Sequence, residues 1–391
     1  MSEGAPVQPG ALDGVLVADF SRVLAGPYAT MLLADLGADV VKVERPDRGD
    51  DTRQWGPPYD EAGEPTYFLS VNRNKRSLVV DLATDAGRRT ARALAVRADV
   101  VIENFKPGTM ERFGLGYEAL SADDPGLVYC SISGFGSGAG RDLPGYDLVA
   151  QAVGGLMSIT GGQGGAPTKV GVALVDVITG LHAAVGILAA LRHRDRTGQG
   201  QRVEVTLLSS LISALVNQSS AYAAAGVVPQ ILGSAHPSIS PYAVFDVADG
   251  GLALAVGNDH QFAELCRVIG APELAVDPRF STNPARVVNR DELNDALRAP
   301  LQGRTRAEWF DALTAAGVPC GPINDMAGAF ELAERLGLSP VVEIDDARRD
   351  APSRQVRDPL EMSATPPTYR TAPPRLGEDT SSVLRDLGID P

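Results

Sequence analysis

One acid stands apart in this chain. Asp176 lies within residues 170–198, VGVALVDVITGLHAAVGILAALRHRDRTG, with an apolar run before it and a longer one after it. From Val177 to Leu191 there is neither a charged residue nor a proline. Such a segment reads as a helix apolar on every side, and hence buried. Asp176 stands at its start, and Arg192, Arg194, Arg196 and Gly198 stand at its end. A carboxylate there can simply cap the free amides at the positive end of the helix. It can also be a nucleophile aimed at a carbonyl carbon. Spacing alone leaves both readings open.

Composition removes several other chemistries. The 391 residues carry 49 acids against 35 bases, a formal charge of −14, which argues against a general nucleic-acid face. Cys130, Cys266 and Cys320 form no CxxC pair, and His182, His193, His236 and His260 form no ligand pattern, so no metal is expected. The stretch from Gly134 to Ala139 loosely fits a GxGxxA dinucleotide fingerprint. Pro144 follows too soon for the helix that would hold a pyrophosphate, so a nicotinamide or flavin site is not expected. The N-terminus MSEGAPVQPGALDG has no basic and apolar leader, residues 1–12 read as a loose tail, and the longest apolar runs suit core helices better than membrane spans. A cytoplasmic enzyme is the expectation.

The elements that must position Asp176 read as alternating strands and helices. Strands are expected at 15–20, 38–44, 77–82, 98–103, 126–133 and 202–207, and helices at 28–36, 84–97, 177–191 and 208–225. That alternation predicts an α/β fold with a parallel sheet, whose ligands bind beyond the carboxyl ends of the strands. Arg45, Asn104-Phe105 and the Gly134 loop each follow a strand and so fall on that edge. Composition shifts near residue 226, where prolines and glycines gather, and a hairpin across ADGG follows. The expected division is a large domain at 1–225, a smaller α+β domain at 226–335 and a C-terminal segment at 336–391 that returns to the large domain.

Taken together, LAGPYATMLLADLGADVVKVERPDRGDDTR, NRNKRSLVVDL, ADVVIENFKPG, GYDLVAQAVGGLMSITG, VALVDVITGLHAAVGILAALRHRDRTGQGQRVEVTLL, GVPCGPI and PRLGEDT resemble the class III coenzyme A transferases, the CaiB/BaiF family. The match runs over nearly the whole chain. It implies a Rossmann-like large domain with a small domain, in a homodimer of two interlocked subunits. It also implies transfer of coenzyme A (CoA) from an acyl-CoA donor to a free carboxylic acid, with CoA as co-substrate and succinyl-CoA the donor favoured by family frequency. The aspartate of the family's DxxTG pattern falls on Asp176. CoA contacts fall on Arg45, Asn104, Phe105 and Arg112, with Val80 and Ala25 as backbone or packing contacts.

By the same resemblance Asp176 attacks the thioester to give a mixed anhydride, and the released thiolate then gives an aspartyl-CoA thioester. The loops at 134–140 and 161–165 could hold oxyanions. Two alternatives belong beside this reading. Racemases of 2-methylacyl-CoA share the fold but carry a histidine in a GHD motif, where this chain has Gly145-Tyr146-Asp147. Tyr146 therefore points to transfer. A non-catalytic acyl-CoA-binding protein is the other. Leu24 stands where formyl-CoA transferases carry glutamine, and their glycine-rich flap is absent. His236 lines the pocket or merely ends a loop.

Overall fold

The computed structural model describes residues 9–348 and 350–390, so most of the expected N-terminal tail, residues 1–8, lies outside the described residues. The chain runs β1 (Leu16–Asp19), α1 (Ala25–Asp35), β2 (Asp39–Glu44), α2 (Thr66–Leu69), β3 (Lys75–Val79), α3 (Asp85–Arg97), β4 (Val100–Glu103), α4 (Thr109–Arg112), α5 (Tyr117–Ser121), β5 (Val128–Ser133), α6 (Asp147–Val153), α7 (Leu156–Ile159), α8 (Leu174–Thr197) and β6 (Arg202–Thr206). Short β-branched runs separated by helices cannot fold back as hairpins, so the strands pair in parallel through crossovers. The result is a six-stranded sheet in the order β3-β2-β1-β4-β5-β6, parallel throughout.

Side chains alternate across this sheet, as the period of a strand requires. Ala18, Val41, Val43, Leu78, Val101 and Tyr129 face α3 and the C-terminal residues Val383 and Leu387. Val17, Val40, Val100, Ile102, Val128 and Cys130 face α1 and α8. Both faces are therefore covered, and the strands are apolar nearly throughout.

Helix α8 is longer than its uncharged stretch, and only one of its faces is buried. Ala183, Ala184, Ile187, Ala190 and Leu191 pack on the sheet, whereas Leu181, Val185 and Leu188 are exposed. The expectation of burial on every side is corrected here, because among the described residues Leu181, Val185 and Leu188 are left uncovered. By length and composition alone α8 could cross a membrane. The predicted helix at 208–225 is two helices, α9 (Leu207–Ala214) and α10 (Val216–Ala225), broken where Val216 takes φ 40°.

The chain forms two compact units. The first holds the sheet and is completed by residues 339–391, whose Asp379 accepts the Ser77 amide at 2.9 Å on the edge strand β3. The second comprises 157–169 and 227–338. It contains a three-stranded antiparallel sheet and a core around Phe262, Phe280, Leu297 and Trp309. Within it Arg286 is fully buried and donates to Ser240 O, Phe280 O and Asp259 Oδ1 at 2.7, 2.9 and 2.8 Å.

Candidate active site

The sheet reverses its order between β1 and β4, and a crevice opens outside the carboxyl ends of strands at such a point. Here it is built with unusual rigidity. Asn104, just after β4, accepts the Arg22 amide at 2.9 Å and donates to the Arg22 carbonyl at 2.7 Å. The next residue, Val23, has φ 69°, a conformation that costs a β-branched side chain energy and must be held in place. Its amide donates to both Asp50 oxygens at 3.2 and 3.3 Å.

Asp50 in turn receives Lys42 Nζ at 2.8 Å, with both side chains fully buried. The Lys42 ammonium and the Thr52 hydrogen bonds outweigh burial and bring the Asp50 carboxyl down to about 2. Lys75 sits 3.3 Å from Asp19 in a second fully buried pair. Burial brings its ammonium down to about 8. Each ion is paired and hydrogen-bonded, which is the condition for burying charge at all.

Three clefts lie along this edge. One of about 380 Å3 is bordered by Arg22, Ala25, Asn104, Phe105, Tyr146 and Asp176. A smaller one, about 170 Å3, is bordered by Arg22, Arg45, Val80 and Phe105. The third, about 470 Å3, lies at the ends of β4, β5 and β6 and includes Glu103, Phe105, Lys106 and Arg141. Phe105 borders all three, and the Arg22 guanidinium lies 5.0 Å from its ring centre.

Asp176 does not cap its helix. It is the third residue of α8, and the cap position, Ala173, has no side-chain acceptor. The acceptor comes from another element: Asp147 Oδ1, at the start of α6, takes the amides of Val175 at 2.8 Å and Asp176 at 3.2 Å. Gln151, fully buried, braces this corner by donating to Asp147 and accepting the Val170 amide at 2.9 Å. The Asp176 carboxyl is left without an ion-pair partner among the described residues. Burial, then the neighbouring charge of Asp147, pushes it up to about 7.

Two close approaches place this corner. A Cβ on Gly134 would stand 2.5 Å from Gly145 Cα, so the loop after β5 and the loop before Tyr146 touch backbone to backbone. Likewise a Cβ on Gly180 would stand 2.6 Å from the Ala25 carbonyl, so α8 packs closely on the start of α1. These glycines fit tight backbone contact; no helix starts after the Gly134 run until Asp147.

The structure brings Asp176, Tyr146, Asn104, Phe105 and Ala25 to one cleft and Arg45 and Val80 to its neighbour. Asn104 is committed to the Arg22 backbone. Arg45 pairs with Asp51 and donates to the Gly49 carbonyl at 3.0 Å. Tyr146 is 62% exposed and borders the same cleft as Asp176. Arg112 is exposed, bonds to Thr109 at 3.1 Å and borders none of the three clefts.

Sequence reading passed over Arg22, Asp147 and Tyr67. Arg22 directly follows a strand and Asp147 directly follows Tyr146, so position was the available signal. Tyr67 packs edge-on against Trp55, and burial, then the charges of Asp176 and Asp147, push its phenol up to about 12. The loop at 161–165 belongs to the second unit. Among the described residues no three metal-ligating side chains converge.

The six-stranded parallel sheet and its covering helices share the fold of a solved CaiB/BaiF family protein. The chain belongs to CoA-transferase family III, whose pattern matches residues 12–380. It is 42% identical to the succinate–glutarate CoA-transferase of Agrobacterium fabrum, over 98% of this chain and 97% of that one. It is 41% identical to the human succinyl-CoA:glutarate CoA-transferase, over 96% of this chain and 86% of that one. A CaiB/BaiF family protein from Brucella suis superposes with a TM-score of 0.86 at 41% identity, covering 97% of this chain and 100% of the other. The protein is thus a CoA-transferase, and CoA thioesters are its co-substrates.

Proposed function

We propose that Asp176 is the nucleophile of this CoA-transferase, and that the enzyme moves CoA between succinate and a second dicarboxylate such as glutarate. The observation that carries the first part is the carboxyl of Asp176 itself. It borders a cleft of about 380 Å3, and Asp147 has taken over its capping duty. The substrate pair rests on the names of the two relatives above.

An Asp176 oxygen bonds to the thioester carbon, and the C–S bond breaks with its electron pair on sulfur. The CoA thiolate then attacks the aspartyl carbonyl, releasing the donor acid and leaving an aspartyl-CoA thioester. The acceptor acid attacks that carbonyl, expels the CoA thiolate and forms a second anhydride; the thiolate then attacks the acceptor's carbonyl, giving its CoA ester and restoring the Asp176 carboxylate. Four simple acyl substitutions thus replace one difficult direct transfer.

CoA fits the neighbouring clefts chemically. Arg22, Arg45 and Lys106 offer cations to phosphates, and Phe105 offers a ring face to a base or to the pantetheine arm. Arg22 Nε is buried without a hydrogen-bond partner, and an anionic ligand would supply one. Asn104, by fixing Arg22, serves the same surface from behind. For Arg45 a phosphate would replace Asp51. Arg112 would reach CoA from outside these clefts. Tyr146 is suited to line the acyl pocket, and Val80 and Ala25 to pack against the ligand.

A homodimer belongs to this reading. The bare apolar face of α8 is joined by Ile212 and Tyr222 on the two helices that follow, and α10 buries no residue at all. Exposed apolar side chains gathered on three successive helices suit a surface covered by a protein partner. A cytoplasmic setting suits an enzyme whose substrates are CoA esters.

The test is turnover of succinyl-CoA with a panel of dicarboxylates by Asp176→Ala. The expected result is a fall of at least about 10^3-fold in kcat with CoA binding retained. Undiminished turnover in that variant would remove Asp176 from the mechanism.

A further inference from the structure

We propose that Asp147 is a positioning residue for the nucleophile: it caps α8 in place of Asp176, and its charge opposes the ionised form of Asp176, so that acylation relieves a repulsion built into the resting site. This inference rests on the reading of Asp176 as nucleophile. Its geometric basis is independent of that reading. A carboxylate from α6, not from the helix it serves, accepts the Val175 and Asp176 amides at 2.8 and 3.2 Å. Its other oxygen is held by Gln151, which is itself fully buried and anchored on the Val170 amide. Asp147 is thus held from both oxygens, by Gln151 on one side and the two helix amides on the other.

An ordinary first-turn acid would be favoured by the helix dipole. Here the capping carboxylate of Asp147 accepts the Val175 and Asp176 amides at that positive end, so those amides do not serve Asp176. Two acids then share one helix start, and like charges disfavour joint ionisation. Burial and Asp147 both raise the proton affinity of Asp176, in that order.

The other groups near Asp176 do not cancel this. Tyr67, from α2, is pushed up and stays neutral. Arg22 is directed to Phe105 and Asp51, and Lys106 pairs with Asp142 at 2.9 Å.

The consequence for the reaction follows from charge. When an Asp176 oxygen bonds to the thioester carbon and the C–S electron pair leaves on sulfur, the negative charge moves off Asp176. The acylated Asp176 carbonyl beside Asp147 carries no charge. An interaction that disfavours the carboxylate and not the acylated state lowers the barrier between them, which is differential binding of the transition state. A more basic carboxylate is also a better nucleophile, at the cost of a smaller ionised fraction below neutrality.

The experiment compares wild type with Asp147→Asn, which keeps an acceptor for the two amides and removes the charge. Loss of charge should make Asp176 easier to ionise. The acid limb of kcat/KM should move down by about one pH unit, while the high-pH plateau falls several-fold, on the order of one pK unit's effect on basicity. A role in folding alone would scale activity equally at all pH values and leave the limb in place; that outcome overturns the proposal.

Should Asp147→Asn melt too early to assay, Asp147→Ser removes the same charge and keeps a hydroxyl acceptor beside the two amides. In it, a carboxyl-directed diazo reagent, followed by mass spectrometry of the Asp176 peptide, reads the same titration without turnover. A midpoint equal to that of wild type contradicts the proposal. The two readings fail separately. If wild type gives no acyl adduct on Asp176, the nucleophile assignment fails. If the adduct forms but the titration is unmoved by Asp147→Asn, only this inference fails.

Discussion

Two ends of the same cleft treat their acids in opposite ways. On the β1–β2–β3 side, Asp19, Glu44 and Asp50 are each buried against a cation: Lys75 at 3.3 Å, Arg53 at 2.8 Å and Lys42 at 2.8 Å. At the α6–α8 corner Asp176 has no cation, only Asp147. The carboxyl of Asp50 goes down to about 2 and that of Asp176 up to about 7. The paired acids are structural. They pin Val23 and the loop after β2 against the sheet. The unpaired acid is kept costly to ionise, which is how functional sites commonly store free energy. Glu103, likewise pushed up to about 7 by burial, lies in the third cleft.

The comparison breaks most visibly at Asp176. Asp176→Asn should abolish turnover and stabilise the fold, because a charge disfavoured in the native state is removed. The sign follows from proton counts. With its folded value raised to about 7, Asp176 binds a proton natively that it has lost in the unfolded chain between about pH 4 and 7, so native stability falls as pH rises through that window. Asp176→Asn should therefore raise Tm by roughly 2 °C or more at pH 8 and by less at pH 5. Equal shifts at both pH values would deny that Asp176 carries that penalty.

At the opposite end the sign reverses. Lys42→Met leaves Asp50 buried without its cation and should cost about 3–5 kcal/mol in denaturant unfolding at pH 7. A cost under about 1 kcal/mol would mean that the pair does not hold the loop. The same pair gives a pH signature. The folded Asp50 value is depressed to about 2, so its contribution is present above about pH 4 and is lost as pH falls toward 2. The difference in stability between wild type and Lys42→Met should shrink across that window, read by urea titration at pH 5, 4 and 3.

The smallest effect expected is at Arg45, whose partner Asp51 is half-exposed. Arg45→Ala should leave Tm nearly unchanged, since surface pairs contribute little. It should raise KM for the CoA ester with little change in kcat. A lowered kcat at unchanged KM would place Arg45 elsewhere in the reaction.

Much of this was legible from sequence, and for physical reasons. Strands β1, β2, β4 and β5 are short apolar runs between turns, so their existence and parallel pairing follow from pattern. The far end of α8 is marked by Arg194, Arg196 and Gly198, and Gly198 does close it at φ 73°. The second face of α8 was not legible. A helix apolar on two sides has no periodicity to say which side meets the sheet and which stays bare. The freedom of Asp176 was not legible either, because its cap arrives from Asp147, 29 residues upstream. Nor was the clasp of Arg22 by Asn104, which spans 82 residues of sequence. Local rules reach four or five residues; these contacts are tertiary. Arg112 shows the converse, a residue that the family resemblance groups with Arg45 but that stands outside all three clefts.

The most direct test of the central claim follows one oxygen atom. The enzyme is given succinyl-CoA and a dicarboxylate acceptor labelled with 18O in its carboxylates, and the Asp176 peptide is then weighed. If the acceptor forms an anhydride with Asp176 and leaves as its CoA ester, one of its oxygens must stay behind in the Asp176 carboxylate. The account predicts 18O in that peptide after turnover, reaching a steady level because each new cycle passes one Asp176 oxygen to the released succinate, and none in peptides carrying Asp147 alone. Full turnover with an unlabelled Asp176 would contradict it, because CoA would then have passed without the carboxylate ever being acylated.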